Sequence, residues 1–299
     1  MNIRDLEYVI AVADTGHFGR AAELCNVSQP ALSVQIRKLE QRLGVTLFER
    51  TNRSVKITPI GAQIVARARE LVAKGDEIIA LARAARDPLS GPFRLGMIAT
   101  IGPYLAPLIL RAVHEAMPDL KLSLVEGMTH DLETALAAGG LDAVIQATTP
   151  ALPRLAQRPL YDEAFLVALP ESHPLAKGPA VSLQDIEENR LLLLADGHCL
   201  RDQVLGACSA ESAQANTRET SLETLLALVA AGDGITLVPA LVRKRAPAGI
   251  ALLPEASGLA GRRVELVARQ SFPQPEVLNI LSGIIRDAVR SEGVSVVDG

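Results

Sequence analysis

The chain has 299 residues, 48% of them hydrophobic and 21% charged, with a formal net charge of −4. That length suits two or three compact units and that composition excludes bulk disorder. No apolar run approaches the roughly 20 residues that a membrane-spanning helix needs, and the start, Met1-Asn-Ile-Arg-Asp5, has no hydrophobic signal core, so a cytoplasmic protein without membrane contact is expected. In a reducing compartment three cysteines argue against a disulfide framework and leave transient thiol chemistry as the alternative. Charge is uneven: residues 1–86 hold thirteen Lys and Arg against nine Asp and Glu, a surplus of four positive charges, so the remainder carries eight negative ones. The basic end is the one suited to a polyanion.

Apolar residues at Ile3, Leu6, Val9, Ile10 and Ala13 recur at helical spacing and predict a first helix. Thr15-Gly16 punctuates it, and Phe18 to Leu24 reads as a second, with Ala21 and Ala22 allowing close approach. After Asn26-Val27-Ser28 a third helix runs from Gln29-Pro30 to about Leu43, with Ser28 as N-cap and Pro30 in the first turn. Two helices joined by so short a turn form a helix-turn-helix. Leu32, Ile36, Leu39 and Leu43 would face the core, leaving Gln29, Ser33, Gln35, Arg37 and Lys38 toward solvent or a DNA groove. A plain three-helix bundle with a wet face fits the same pattern.

Val45 to Phe48 and Ser54 to Ile57 read as two short strands around a basic tip, a wing in which Arg50 and Arg53 could reach phosphates or a minor groove. Thr58-Pro59 then opens a long helix. Its stripe of Ile64, Ala68, Leu71, Ile78, Ala82 and Ala85, with Val65, Val72 and Ile79 alongside, suits pairing between subunits. Asp87 to Pro92 is a breaker cluster and a boundary. Beyond it strands are expected at Phe93–Ile98, Lys121–Glu126, Leu141–Ala147, Glu163–Leu169, Leu191–Leu194, Gly234–Val238 and Arg263–Val267. Helices are expected between them, with a last one from about Pro275 to Arg290 and a frayed tail after about Glu292. This alternation implies α/β folding with two largely parallel sheets of similar size, giving two subdomains. Ala99-Thr100, Thr129-His130 and Asp196 to Cys199 all follow strands and could line one cleft.

Within Asp196-Gly-His198-Cys199-Leu-Arg201-Asp202-Gln-Val-Leu-Gly-Ala-Cys208 fall two of the three cysteines. A thiol is nucleophilic as thiolate, and nearby cations or a helix N-terminus favour that form. His198 and Arg201 flank Cys199, whose pKa is therefore expected to be lowered. If the segment is helical, Cys199 and Cys208 have Cα atoms about 13 Å apart, whereas a disulfide needs roughly 7 Å or less. Joining them would unravel the helix and could shift a population roughly a hundredfold. Buried cysteines acting as small hydrophobes would show the same spacing. There is no GxGxxG, P-loop, CxxC pair or HExxH, and His17, His114, His130 and His173 stand isolated, so no cofactor and no metal are expected.

Residues 1–58 resemble the winged helix-turn-helix of LysR-type transcriptional regulators. The likeness is carried by Leu6, Phe18, Ala21-Ala22, Val27 to Ser33, Ile36, Leu39-Glu40, Leu43-Gly44, Leu47 to Arg50 and Thr58-Pro59. It implies an α/β protein with an N-terminal winged helix-turn-helix (1–58), a dimerising linker helix (59–88) and a two-subdomain regulatory module like periplasmic binding proteins (89–299). Subdomain I would take about 89–161 and 268–299, and subdomain II about 162–267. Ser28, Gln29, Pro30, Ser33, Gln35, Arg37, Lys38, Arg50 and Arg53 become the candidate DNA contacts.

Asp196 to Gln203 with Cys208, Gly102 to Leu105, Ser221 to Leu225 and Ala230 to Leu237 are similar to the family's hydrogen-peroxide sensors. That resemblance implies that Cys199 is oxidised by peroxide to a sulfenic acid and that Cys208 resolves it to an intramolecular disulfide. Thr100 and Thr129 would line the peroxide pocket, and His198, Arg201 and Asp202 would position or activate the thiol. Cys25 would be packing. A homotetramer on double-stranded operator DNA is implied, with hydrogen peroxide, RNA polymerase and cellular thiol reductants as partners and oxidative-stress genes as targets; it is not expected to be an enzyme. A regulator answering a small-molecule effector and a stand-alone thiol peroxidase are the alternatives.

Overall fold

A computed structural model describes residues 1–50, 55–84, 86–207, 221–258 and 260–297. Two compact units emerge, Met1–Arg86 with Ala137–Gly140, and Asp87–Leu136 with Leu141–Gly299.

The first unit begins with α1 (Ile3–Thr15). Asn2 and Asp5 exchange side-chain-to-backbone hydrogen bonds of 2.8 and 2.9 Å, a reciprocal cap that fixes the helix start. α2 (Phe18–Leu24) is capped by the His17 ring, whose Nδ1 accepts from Gly19 N at 3.0 Å. In α3 (Gln29–Leu43) Ser28 Oγ accepts from Ala31 N at 3.3 Å, and Gly44 ends the helix at φ 70°, a conformation that side chains other than glycine's resist. Val9, Val12, Ala21, Leu32, Ile36 and Leu47 are buried together, and the Phe18 and Phe48 rings meet edge to face at 6.3 Å. Leu43, expected in this core, closes the last turn of α3 and is 37% exposed.

Strands β1 (Phe48–Arg50) and β2 (Val55–Ile57) pair antiparallel, Phe48 opposite Ile57. The first was expected from Val45. Glu40 of α3 accepts from Leu47 N at 2.9 Å and Phe48 N at 3.2 Å, so this stretch is tied to the helix and strand pairing starts only at Phe48. α4 (Pro59–Ala84) opens on Thr58, whose Oγ1 accepts from Gly61 N at 2.9 Å. Along it Leu71, Ile78, Ile79 and Leu81 are each more than half exposed.

In the second unit the strands are β3 (Gly91–Ile98), β4 (Leu120–Gly127), β5 (Ala143–Gln146), β6 (Leu155–Pro170), β7 (Thr236–Pro239), β8 (Ile250–Pro254), β9 (Gly261–Arg269) and β10 (Ser295–Val296). The helices are α5 (Gly102–Ala116), α6 (Thr129–Ala137), α7 (Leu183–Glu187), α8 (Cys199–Ala207), α9 (Leu222–Ala231) and α10 (Pro275–Ser291). One sheet runs β10-β6-β9-β5-β3-β4, and the C-terminal part of β6 pairs with β7 and β8.

Four expectations are corrected by the fold. The sheets are mixed, because among the described strands only the pairings of β3 with β4 and β5 are parallel. β9 returns against β6 from Leu155↔Arg269 to Ala164↔Gly261, and antiparallel neighbours need no crossover helix. The second lobe's sheet is smaller than the first and borrows the end of β6. Leu191–Leu194, expected as a strand, is a buried stretch joined to Ile235 by one bridge. The tail after Glu292 is not frayed throughout, since Gly293 at φ 78° turns the chain and β10 pairs with Tyr161 and Asp162.

Candidate functional site

β3 and β4 run parallel with Ile98 opposite Gly127, so the turns that follow them emerge side by side. The first carries Thr100; the second leads to Thr129 at the start of α6. The third element is α8, whose first residue is Cys199. Gly197 enters it at φ 95°, and a Cβ there would lie 3.1 Å from the end of the Met128 side chain. Thr100, Met128, Thr129, His198 and Cys199 thus line one small pocket, with about 180 Å3 of free space including its mouth. Thr100 is 3% and His198 7% exposed. Residues far apart in sequence converge here because parallel strands deliver their C-terminal turns to the same edge.

The electrostatics of Cys199 differ from the expectation. Burial pushes its thiol above the ordinary value, against three opposing influences: the Arg262 charge first, then hydrogen bonds from Thr129 and from the Leu200 backbone. Asp202, expected to assist, raises it further. Arg201, expected to position or activate the thiol, bonds to the turn ahead of α8. Its Nη1 donates to Leu194 O at 2.9 Å and its Nε lies 3.0 Å from Asp196, which pins the turn ahead of α8. A lowered thiol pKa read from neighbours in sequence therefore fails, since i,i+2 neighbours on a helix point apart and desolvation outweighs the dipole of one helix end.

Sequence reasoning missed Arg262 and Glu163. Arg262 donates to Thr100 Oγ1 at 2.9 Å and Thr100 O at 3.2 Å, and its Nε lies 3.0 Å from Glu163. Glu163 also accepts from Leu241 N at 2.8 Å. The signal available was an Arg-Arg pair and an Asp-Glu pair, each running into an apolar stretch of strand, where alternation must turn one member of each inward.

Of the DNA-contact candidates, Ser28, Gln29, Pro30, Gln35, Arg37 and Lys38 are exposed on or before α3 and Ser33 is half-buried. Arg50 ends β1. Arg53 and Cys208 lie outside the described residues. Cys25, at the C-terminal cap of α2, is half-buried against the core of the first unit.

Residues 3–62 match the family model of bacterial regulatory helix-turn-helix proteins of the lysR family, and residues 86–290 match the LysR substrate binding domain. The DNA-binding transcriptional dual regulator OxyR of Escherichia coli K12 is 45% identical over 279 residues, 91% of either chain. Full-length OxyR from Pseudomonas aeruginosa with a Cys-to-Asp substitution superposes with a TM-score of 0.80 at 38% identity, over 96% of this chain and 95% of that one. A Cys-to-Ser variant of Corynebacterium glutamicum OxyR, solved with H2O2 bound, gives 0.67 at 34% identity over 97% and 93%. The curated relatives are named as regulators and activators of transcription, a non-enzymatic function. The chain belongs to the LysR family, as an OxyR-type hydrogen peroxide-inducible transcription regulator.

Proposed function

We propose that Cys199 is the peroxide-sensing thiol and Cys208 its resolving partner. The observation that carries this reading is the setting of Cys199, hydrogen-bonded by Thr129 and under the charge of buried Arg262 in a pocket the size of a small polar molecule. Cys199 gives up its proton, its thiolate attacks one peroxide oxygen, the O–O bond breaks, and the departing hydroxide leaves as water. The Cys208 thiol then attacks the sulfenic sulfur, forming the S–S bond and releasing the sulfenic oxygen as a second water. Cellular thiols reverse the change. The high thiol pKa keeps most of Cys199 protonated at neutral pH while making the thiolate that does form a stronger nucleophile.

Thr100 and Thr129 hold the peroxide, His198 closes the pocket wall, Arg201 fixes the approach to α8 and Asp202 restrains the resting thiol. Residues 1–58 bind operator DNA through Ser28, Gln29, Pro30, Ser33, Gln35, Arg37, Lys38, Arg50 and Arg53. Residues 59–88 pair subunits, and 89–299 sense peroxide. Refolding of 199–208 changes the contacts that a cytoplasmic tetramer makes with its operator and with RNA polymerase at oxidative-stress genes. Free-thiol counting with mass mapping, before and after stoichiometric hydrogen peroxide, tests this. Loss of two thiols as a Cys199 to Cys208 linked peptide together with a changed DNA footprint supports it. Thiols that survive excess peroxide refute it and leave a metabolite effector as the reading to pursue.

A further inference from the structure

Four positions beyond Cys199, Gln203 donates its side-chain Nε2 to the backbone carbonyl of Ala147 at 2.7 Å. Ala147 follows β5, so this bond joins the thiol-bearing helix to the six-stranded sheet. Among the described residues Gln203 Oε1 is buried without a partner, so the Nε2 bond is the amide's whole polar hold. Its acceptor is firmly placed. Gln146 is fully buried and uses both amide hydrogens, on Glu133 Oε1 at 2.7 Å and on Thr148 O at 2.9 Å. Glu133's other oxygen takes the Ala151 N–H at 3.0 Å. With residues on either side of it pinned, the Ala147 carbonyl stays put when α8 is pulled.

We propose that the Gln203–Ala147 bond is a tether that holds α8 helical in the dithiol state, making Gln203 a positioning residue that sets the switch's redox equilibrium. This rests on the Cys199–Cys208 reading above. Nine helical residues rise about 13 Å, whereas a disulfide requires Cα atoms within roughly 7 Å. Gln203 lies inside the loop that would close, so it cannot keep its place while the helix shortens around it, and the bond to Ala147 breaks. A net hydrogen bond lost in one state only is worth about two- to tenfold in an equilibrium constant. By contrast, the bonds of Arg201 to Leu194 and Asp196 stay within its own segment.

The test uses the full-length protein and Gln203→Met, which keeps the side chain's length and removes the donor. Gln203→Glu, which sets an acceptor against the Ala147 carbonyl, is the second variant should Met disturb folding. Each is equilibrated in dithiothreitol redox buffers, and the Cys199–Cys208 linked fraction is measured. The rate at which peroxide converts Cys199 to sulfenic acid is followed separately. The expected result is a shift toward disulfide of about two- to tenfold, up to about 30 mV more negative, with the sulfenic acid rate unchanged. An unmoved midpoint in both variants, whatever the sulfenic acid rate, overturns the tether while the linked peptide in the parent protein leaves the sensing reading intact. Absence of that peptide from the parent overturns both.

Discussion

Glu163 and Arg262 are partners in the β6–β9 register, with their side chains 0% and 1% exposed and 2.9 Å apart. The next pair along, Asp162 and Arg263, makes the same carboxylate–guanidinium contact at 2.8 Å in solvent. Strand alternation thus sends one ion pair into the core and the other to the surface. The inner pair couples the sheet to the thiol pocket, because Arg262 also grips Thr100 and supplies the largest influence lowering the Cys199 pKa.

Breaking the two pairs should have unequal consequences. Arg262→Met strands the Glu163 charge in the core and should destabilise the regulatory unit by about 3–5 kcal/mol. Arg263→Ala removes a solvent-screened pair and should cost about 1 kcal/mol or less. Denaturant unfolding of both variants checks the contrast, and equal losses would remove the special status of the inner pair.

The pH dependence follows from burial of the thiol. With the Cys199 pKa raised, its thiolate fraction should climb about tenfold per pH unit between about pH 6 and 8 without levelling. Alkylation rates of the Cys199 peptide measure this, and a plateau below neutrality would point to a depressed thiol instead. Thr129→Val, which removes a hydrogen bond to the sulfur, should lower the rate at every pH in that range. The sign for stability is the reverse: a folded-state pKa above the unfolded one stabilises at pH below the unfolded thiol pKa. That contribution is lost as pH rises through the folded value.

Ser28 and Arg37 should separate capping from DNA contact. Ser28 Oγ caps α3, so Ser28→Ala should lower the stability of the first unit by about 0.5–2 kcal/mol. Arg37 is exposed on α3, and Arg37→Ala should leave melting unchanged while weakening operator binding by about 1–3 kcal/mol or flattening its salt slope. Thermal melts and binding titrations at several salt concentrations distinguish the two.

The apolar stripe on α4 should be a subunit contact. Ile78 is 69% exposed and Leu71 52%, and exposed apolar residues in a row mark interaction sites. Ile78→Asp should raise the subunit dissociation constant at least about tenfold, roughly 1.4 kcal/mol, with the helix content unchanged. Sedimentation velocity together with circular dichroism reads both quantities.

By itself the sequence determined the local elements of the first unit. Helical periodicity, the Ser28 and Thr58 caps, the Pro30 and Pro59 starts and the Gly16 and Gly44 stops act within a few residues, and α1 to α4 begin and end close to where those signals stand. It also marked Cys199 and the turns bearing Thr100 and Thr129, since strand ends are legible from local pattern. Only the tertiary structure decided what surrounds the sulfur. Glu163, Arg262 and the Gln203–Ala147 bond come from segments whose nearness depends on β6 and β9 pairing antiparallel over their length. The direction of the Cys199 shift likewise depends on how many atoms bury the thiol. Long-range pairing and desolvation are sums over the whole fold, whereas caps and periodicity are properties of a single turn.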